Sequence, residues 1–404
     1  MFDVTEAQNP RSGTGGTNLG HARAFNRRVV LETIRLHGPL SRASIARRTG
    51  LSIQTISNIA EELSASGLLR EEGLRPVGGR GAPALDLALE PNGGFTFGIS
   101  LDHRRLVAVL VDITGRERRQ ETVDIEGLAP DAVVPLIVRT TSELARRERA
   151  AKKRLWGAGV VMPMLFENGH PVAFGPTSMP AWQDYPVVDR LTQALGMPVL
   201  LENDATAAAV GEQLYGVGRR LKDFFYIYIG VGVGGGMILA GHPYRGHAGR
   251  AGELGHVVVE PGGRPCACGN RGCLERYASL SAAQAALQGL PEDAVQVDPA
   301  ALAAGAAALD DWLDLAAKHL RTAAVMIANL LDPEAIVIGG IIPEVLLGRL
   351  IARMGGLENS AALLPRALPL LQAEIDLASP ALGGAALPLF DGLAPALSLL
   401  SKSV

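Results

Sequence analysis

Helical spacing of apolar residues marks the first part of the chain, after a polar segment over residues 1–20 that we predict to be a flexible tail. A first helix is predicted over about residues 24–36, where apolar side chains recur near one face and Gly38-Pro39 ends the pattern. Ser41 is a candidate N-cap for a second helix that runs through Arg48. This spacing predicts two short helices separated by a tight turn.

A third helix and a hairpin follow directly. The third helix is predicted over residues 53–66, and four apolar residues at helical spacing are expected to face inward: Ile53, Ile56, Ala60 and Leu63. After it, residues 67–89 predict a β-hairpin whose tip, residues 75–83, is rich in glycine, proline and arginine. Three short helices followed by such a hairpin predict a winged helix-turn-helix domain over residues 21–90.

The outward side of the third helix is small and polar, which suits contact with base edges in a major groove. The arginines of this region suit contact with phosphates. The candidate DNA-binding residues are Arg42, Arg47, Gln54, Thr55, Ser57, Asn58 and Arg80. The alternative is an amphipathic helical pair used for dimerisation, with the arginines solvating one face.

From residue 93 onward the pattern changes to short apolar runs bounded by turns. Such runs predict strands, over 95–100, 106–112, 121–125, 155–161, 198–202, 224–229, 236–239 and 335–338. Longer amphipathic stretches predict helices, over about 130–152, 205–215 and 310–331. Two strand-rich lobes with crossover helices indicate an α/β fold over residues 91–404, with a cleft between the lobes.

Composition narrows the class of protein. Hydrophobic residues make up 48% and charged residues 20% of the chain, which is typical of a folded globular protein. No apolar run is long enough to cross a bilayer and no signal peptide is visible, so a cytoplasmic location is expected. The formal charge is −3, yet residues 18–60 hold seven arginines against one acid. A basic region on a mildly acidic body favours a DNA-binding module joined to a ligand-binding domain.

All three cysteines of this 404-residue chain lie within eight positions, and His256 precedes the first of them by ten residues. Cys266, Cys268, Cys273 and His256 supply four ligands, the number that a closed tetrahedral zinc site needs. A disulfide would leave one cysteine unpaired, and reduced core cysteines would not gather in a loop rich in glycine and arginine. A buried histidine without metal is the alternative for His256. We predict a structural Zn²⁺ ion here.

This segment also carries a family resemblance. Glu253-Leu-Gly-His256, followed by Cys266-Ala-Cys268-Gly-Asn-Arg-Gly-Cys273-Leu-Glu275, resembles the signature of the ROK family, named for repressors, open reading frames and kinases. The resemblance extends over about residues 26–391. It implies the two-lobed, actin-like (ribonuclease H-type) fold of sugar kinases for the body. It also matches the winged helix to the DNA-binding domain of the repressor branch, which ROK kinases lack.

The resemblance further implies a sugar cleft near residues 203–204, where a strand runs into a helix. In ROK kinases an aspartate that matches Asp204 is the general base for the sugar hydroxyl; a helix N-cap is the alternative role for Asp204. A family loop of the form P-N-L-P-G-W becomes Pro176-Thr-Ser178-Met-Pro180-Ala-Trp182, which leaves open a different sugar or another class of small molecule. The candidate ligand-binding residues are Ser178, Asn203, Asp204, Glu253, His256 and Glu275.

The motifs for ATP are altered. Where the resemblance leads us to expect D-x-G-G-T, this chain has Ser100-Leu-Asp102-His-Arg104, which puts a carboxylate where a polyphosphate would lie. The second hairpin, over 230–236, keeps its glycines but has Val231 in place of a hydroxyl residue, and residues 339–342 are a reduced form of the adenosine-side turn. No catalytic residue is therefore expected, except Asp204 if the protein is a kinase.

We predict a sugar-responsive, DNA-binding transcriptional regulator that acts as a repressor and contains structural zinc. The expected partners are a double-stranded DNA operator and a small sugar or sugar-phosphate effector, and the protein is expected to form a homodimer or homotetramer. One alternative is an active ATP-dependent sugar kinase of the hexokinase type that also binds DNA. Another is a zinc-stabilised interaction module without a small ligand.

Overall fold

Three helices and a three-stranded sheet form the first part of the structure, a computed structural model that describes residues 19–75, 84–149, 151, 154–167, 170–172, 179–357, 367–375 and 380–393. Ser41 and Ser52 cap the second and third helices, each through its hydroxyl, and Gly50 ends the second helix at φ +72°. The antiparallel strand order is β1-β3-β2. The elements are α1 (Leu19–His37), β1 (Leu40–Ser41), α2 (Arg42–Thr49), α3 (Ile53–Ala65), β2 (Leu69–Arg75) and β3 (Ala84–Leu89).

The prediction that Ile53 of α3 faces inward is wrong. Ile53 is 59% exposed, and the buried residues of this helix are Ile56, Ile59, Ala60 and Leu63. The buried stripe therefore begins one turn later than expected. The first turn of α3 lies at the surface, where Ser52 and Gln54 are exposed as well.

Two five-stranded sheets form the body of the protein. The first sheet has the order β10-β7-β4-β5-β6, in which β5 is antiparallel to both β4 and β6, while the β4–β7 and β7–β10 pairs are parallel. Its elements are β4 (Phe95–Leu101), β5 (Arg105–Asp112), β6 (Glu117–Asp124), α4 (Pro130–Arg147), β7 (Leu155–Val161), β8 (Leu165–Glu167), β9 (His170–Val172), α5 (Val187–Leu195), β10 (Val199–Glu202) and α6 (Asp204–Tyr215).

The second sheet repeats this arrangement with the order β13-β12-β11-β14-β15. In each sheet a meander of three strands is followed by two parallel strands on the other side of the first, so the two lobes share one topology. The elements are β11 (Phe224–Ile229), β12 (Val233–Leu239), β13 (His242–Pro243), α7 (Glu275–Ala278), α8 (Leu280–Gln288), α9 (Pro299–Ala304), α10 (Asp310–Leu331), β14 (Ala335–Gly340), α11 (Glu344–Met354) and β15 (Leu370–Gln372).

A last helix, α12 (Ala381–Leu393), returns to the first lobe and packs on α6, β4 and β7. Glycines permit the close approach: a Cβ atom on Gly98 of β4 would overlap the carbonyl oxygen of Ala381. The same helix belongs to the hydrophobic cluster that contains the winged-helix core and α6. Among the described residues, no helix combines the length and the hydropathy that a membrane crossing requires.

The winged helix is attached to the body by specific contacts. Arg35 of α1 donates to the carbonyl oxygen of Leu214, near the C-terminal end of α6. Arg154 donates to the carbonyl oxygens of Gly67 and Asn92 at 3.0 and 3.1 Å. These contacts and the shared hydrophobic cluster hold the two parts in one packed unit.

Candidate effector, metal and DNA-binding sites

Two polar residues lie where β10 ends and α6 begins. Asn203 is the N-cap of α6, and its side-chain oxygen accepts a hydrogen bond from the amide of Thr206 at 2.8 Å. Because Asn203 fills the capping position, the alternative role of Asp204 as N-cap is wrong. Asp204 is the first helical residue, and its carboxylate accepts a hydrogen bond from the amide of Ala205 at 2.9 Å.

The candidate cleft gathers carboxyl groups. Burial, with a smaller contribution from the charge of Glu253, raises the pKa of Asp204 to about 6, although hydrogen bonds from backbone amides lower it. Burial also raises the pKa of Glu253, while His256 lowers it and Glu275 raises it again. These four side chains therefore lie close enough to influence one another electrostatically. A carboxyl group with a raised pKa, such as Asp204, is protonated over a wider pH range and can then both donate and accept hydrogen bonds, which suits a polyol.

An ion pair joins the two lobes beside this cleft. Glu202, the last residue of β10, accepts a hydrogen bond from Arg245 Nε at 2.7 Å. Arg245 follows β13 in the second lobe, and the Glu202 side chain is only 8% exposed. The sequence gives no signal for this pair, because the two residues are 43 positions apart and belong to different lobes.

The four predicted metal ligands come together. One ligand atom from each of His256, Cys266, Cys268 and Cys273 lies within 4.8 Å of the others. Cys268 Sγ lies 3.5 Å from Cys273 Sγ, and Cys266 Sγ lies 3.7 Å from His256 Nδ1. Metal–sulfur bonds of about 2.3 Å give ligand edges of roughly 3.8 Å in a tetrahedron, so these distances fit a four-coordinate metal ion.

The loop that carries the cysteines is built by backbone contacts. Gly269 and Gly272 adopt φ of +91° and +84°, and the amide of Cys266 donates to the carbonyl oxygen of Asn270 at 2.9 Å. Burial raises the pKa of the Cys266 and Cys273 thiols, and coordination to a metal ion would remove their protons. The residues present can hold a metal ion.

Glu275 connects the metal ligands with the cleft. Its Oε1 atom lies 3.1 Å from Cys266 Sγ and 3.5 Å from His256 Nδ1. Its Oε2 atom would lie 3.1 Å from a Cβ atom on Gly232 of the second glycine-rich hairpin. One carboxylate thus touches the thiol cluster and the edge of the candidate cleft.

The first hairpin of the body is closed by its own aspartate. Asp102 Oδ1 accepts hydrogen bonds from the amides of Arg104 and Arg105, both at 2.7 Å. The family resemblance described above matches this turn to the phosphate-binding turn of ROK kinases. A bound phosphate would have to displace the carboxylate and face its negative charge.

The glycines of the second hairpin serve packing. A Cβ atom on Gly236 would lie 2.5 Å from the carbonyl oxygen of Ala205 in α6. A Cβ atom on Gly235 would lie 2.8 Å from the carbonyl oxygen of Gly252 on the opposite face. Close contact of this strand with its neighbours therefore accounts for these two glycines.

The candidate DNA-reading surface is polar and partly preorganised. Gln54 Nε2 donates to Asn58 Oδ1 at 2.9 Å, which orients both exposed amides. Thr55 is held by the cap residue Ser52 through its amide, whereas Ser57 is half-buried.

Two arginines flank this surface. Arg42 pairs with Glu71 at 2.9 Å, and Arg47 donates to Ser44 at 3.0 Å. The remaining predicted DNA contact, Arg80, and the predicted sugar contact Ser178 lie outside the described residues.

Comparison with known proteins identifies the family. The model of the ROK family matches residues 96–387, most of the chain. The chain belongs to the ROK family. The similar solved structures include the crystal structure of a ROK family transcriptional regulator, described as a homologue of the E. coli MLC protein. That structure has a TM-score of 0.73 and 26% identity, and the match covers 95% of this chain and 100% of the other.

Both branches of the ROK family occur among the relatives. The xylose repressor of Bacillus spizizenii (strain ATCC 23059 / NRRL B-14472 / W23) is 29% identical over 266 residues, which are 66% of this chain and 68% of the relative. The glucokinase of Halalkalibacterium halodurans is 38% identical over 208 residues, which are 47% of this chain and 62% of the relative. The actin-like fold of the ROK body agrees with the repeated strand order of the two sheets.

Proposed function

We propose that this protein is a sugar-responsive transcriptional repressor whose kinase-derived body senses the effector. The observation that carries the proposal is the winged helix packed onto a ROK body in one hydrophobic cluster. The repressor relative and the repressor-like solved structure support it. The polar face of α3 would lie in the major groove of a double-stranded operator. A pseudo-palindromic operator requires paired reading heads, which fits a homodimer or homotetramer.

The ligand is proposed to be a small sugar or sugar phosphate. Asn203, Asp204, Glu253 and Glu275 offer amide and carboxyl groups to hydroxyls, with His256 beside them. Ser178 is retained as a further candidate from its motif. A closed cleft would strengthen these contacts because water is excluded from them.

The metal is proposed to be a structural zinc ion held by His256, Cys266, Cys268 and Cys273. When bound, the ion supplies folding free energy to the loop. Glu275 then has a fixed position, because its Oε1 atom contacts the ligand cluster while the rest of its carboxylate borders the cleft. Metal and sugar sites would therefore share one support.

We propose that the body does not transfer phosphate. Phosphoryl transfer needs positioned ATP and its metal ion, and a base alone does not supply either. The turn amides of Arg104 and Arg105 are bound to Asp102. Asp204 keeps the position of the base but would act here as a hydrogen-bonding partner of the sugar.

Effector binding would reach the DNA through α6. This helix begins at the cleft and has twelve residues, a length of about 18 Å. Near its far end, the carbonyl oxygen of Leu214 accepts a hydrogen bond from Arg35 of the winged helix. A ligand that binds the closed cleft more tightly than the open one would shift α6 and change the placement of the two reading heads.

The test uses full-length protein and operator DNA selected from a random library. A panel of sugars and sugar phosphates is added while fluorescence anisotropy reports operator affinity, and one compound should change that affinity by roughly tenfold. Glu253→Gln should remove the response, whereas Glu344→Gln, at an exposed position in α11, is the control and should retain it. No response to any compound, with no shift in melting temperature, would favour the interaction module instead.

A parallel assay addresses the kinase alternative. The protein is incubated with Mg-ATP and the same panel, and ADP release is measured. We expect no sugar-dependent release. Release that Asp204→Asn abolishes would establish an active kinase and overturn the proposal of a silent sensor.

A further inference from the structure

A cavity of about 290 Å³ lies at the junction of the winged helix and the ROK body. It is separate from the candidate sugar cleft, because it lies at the opposite end of α6. Its walls are Arg35 of α1, the β5–β6 turn Thr114–Arg116, the end of α6 at Leu214 and Tyr215, and Arg219. A ligand in this cavity would therefore touch both parts of the protein.

Tyr215, which lines the cavity, carries a hydrogen-bond donor that no described residue uses. The Tyr215 hydroxyl is buried and has no hydrogen-bond partner among the described residues. The ring is fixed by Gly115, since a Cβ atom there would lie 2.2 Å from Tyr215 Cδ1. Burial raises the pKa of Tyr215, so the hydroxyl keeps its proton at physiological pH. A buried donor without a partner destabilises the folded state, and an acceptor in the cavity would offset this cost.

Two guanidinium groups on the cavity wall are also uncommitted. Within the described ranges, neither Arg116 nor Arg219 has an ion-pair or side-chain hydrogen-bond partner. Arg35 differs, since its guanidinium binds Glu32 and the carbonyl oxygen of Leu214.

The nearby acid does not cancel these charges. Asp112 is fully buried, and its carboxylate is bound by Arg118, by Thr114 and by the backbone amide of Arg116. The charge left facing the cavity is positive.

We propose that this cavity binds a small phosphate monoester or inorganic phosphate. Guanidinium groups bind phosphate oxygens with strong, directed hydrogen bonds, and the phenol supplies a further donor. A tetrahedral oxyanion presents oxygens in several directions and so can meet donors from α6, the β5–β6 turn and Arg219 together. The backbone phosphates of a DNA duplex carry the same chemistry but cannot enter to reach a buried hydroxyl.

The bound anion would act as a second effector. It would join Arg116 and Arg219 of the body at the place where Arg35 of the winged helix meets α6. If the anion binds more tightly when the winged helix is docked on the body, it stabilises that docked position. The cleft and the cavity would then be coupled through the same helix.

The test is titration calorimetry of DNA-free, full-length protein with inorganic phosphate and a panel of phosphate monoesters. Arg116→Gln and Arg219→Gln should each weaken binding by about tenfold. Tyr215→Phe should weaken it several-fold. Arg119→Gln, an exposed arginine on the neighbouring strand, is the matched control and should bind as the wild type does. Arg116 and Arg219 are exposed, so their variants should fold.

Operator affinity of the same variants distinguishes the sources of phosphate. Unchanged affinity for DNA together with lost binding of the free anion supports the proposal. Absence of anion binding by wild-type protein overturns it, as does equal binding by the variants. If the variants instead lose affinity for all DNA sequences and the free anion does not bind, the arginines contact the DNA backbone. If a sugar still changes the affinity of these variants for operator DNA, the proposed repressor function stands, whatever the outcome for the anion.

Discussion

Replacing Asp204 by asparagine should stabilise the protein at neutral pH. Burial raises the pKa of this carboxyl group from a usual value of about 4 to about 6. The folded state therefore holds its proton more tightly than the unfolded state. Between pH 4 and pH 6 the free energy of unfolding falls as pH rises, because ionisation becomes easier in the unfolded chain. A pKa that differs by about two between the folded and unfolded states changes the free energy of unfolding by about 3 kcal/mol. Above about pH 6 the wild type has lost all of this stability.

Asparagine removes the titration and keeps a side-chain oxygen for the amide of Ala205. We expect Asp204→Asn to match the wild type near pH 4 and to be more stable by up to about 3 kcal/mol at pH 7.5. Thermal unfolding of both proteins across this pH range measures the difference. Asp189→Asn is the control, since Asp189 also lies in the first turn of a helix but is exposed. A variant that is less stable than wild type at pH 7.5, or a difference independent of pH, would refute this reasoning.

Three further predictions concern metal and DNA. Cys268→Ser should lose bound zinc in metal analysis and lower the melting temperature of the second lobe, while wild-type protein without zinc would contradict the site. Ile53→Ala should weaken affinity for the selected operator without changing the salt dependence, because an exposed apolar residue beside Gln54 suits a thymine methyl group; an unchanged base preference at every position would count against this role. Arg80→Ala should weaken binding to all sequences and make the salt slope shallower by about one, and a slope equal to that of wild type would remove Arg80 from the phosphate contacts.

Features with a local signal were predicted well from the sequence. The strands Leu155–Val161 and Phe224–Ile229 and the helix Asp310–Leu331 have the predicted bounds. The four metal ligands also come together, since a short glycine-containing loop limits where they can go. The predicted ends of some helices were less accurate. Helix α1 begins at Leu19 rather than near residue 24, and α4 ends at Arg147 rather than near residue 152.

Features that depend on distant contacts could not be predicted. The pairing of Glu202 with Arg245, and of Arg35 with Leu214, joins residues far apart in sequence. The packing of α12 on the first lobe could not be predicted from the sequence, because the glycines and alanines of Ala381–Leu393 show no periodicity that would indicate which element they contact. Ile53 was misplaced because helical spacing alone does not show where a buried stripe begins.

The return of α12 to the first lobe sets an order for synthesis of the protein. The winged-helix residues end at Leu89 and leave the ribosome first, and the hydrophobic cluster that they share with α6 and α12 is completed later. The first lobe cannot complete its core until Ala381–Leu393 has left the exit tunnel, because this helix packs between α6, β4 and β7. The reading head is thus synthesised before the body that is proposed to control it. A nascent chain could bind DNA nonspecifically, but it would acquire a regulated response only when one of the last described segments is in place.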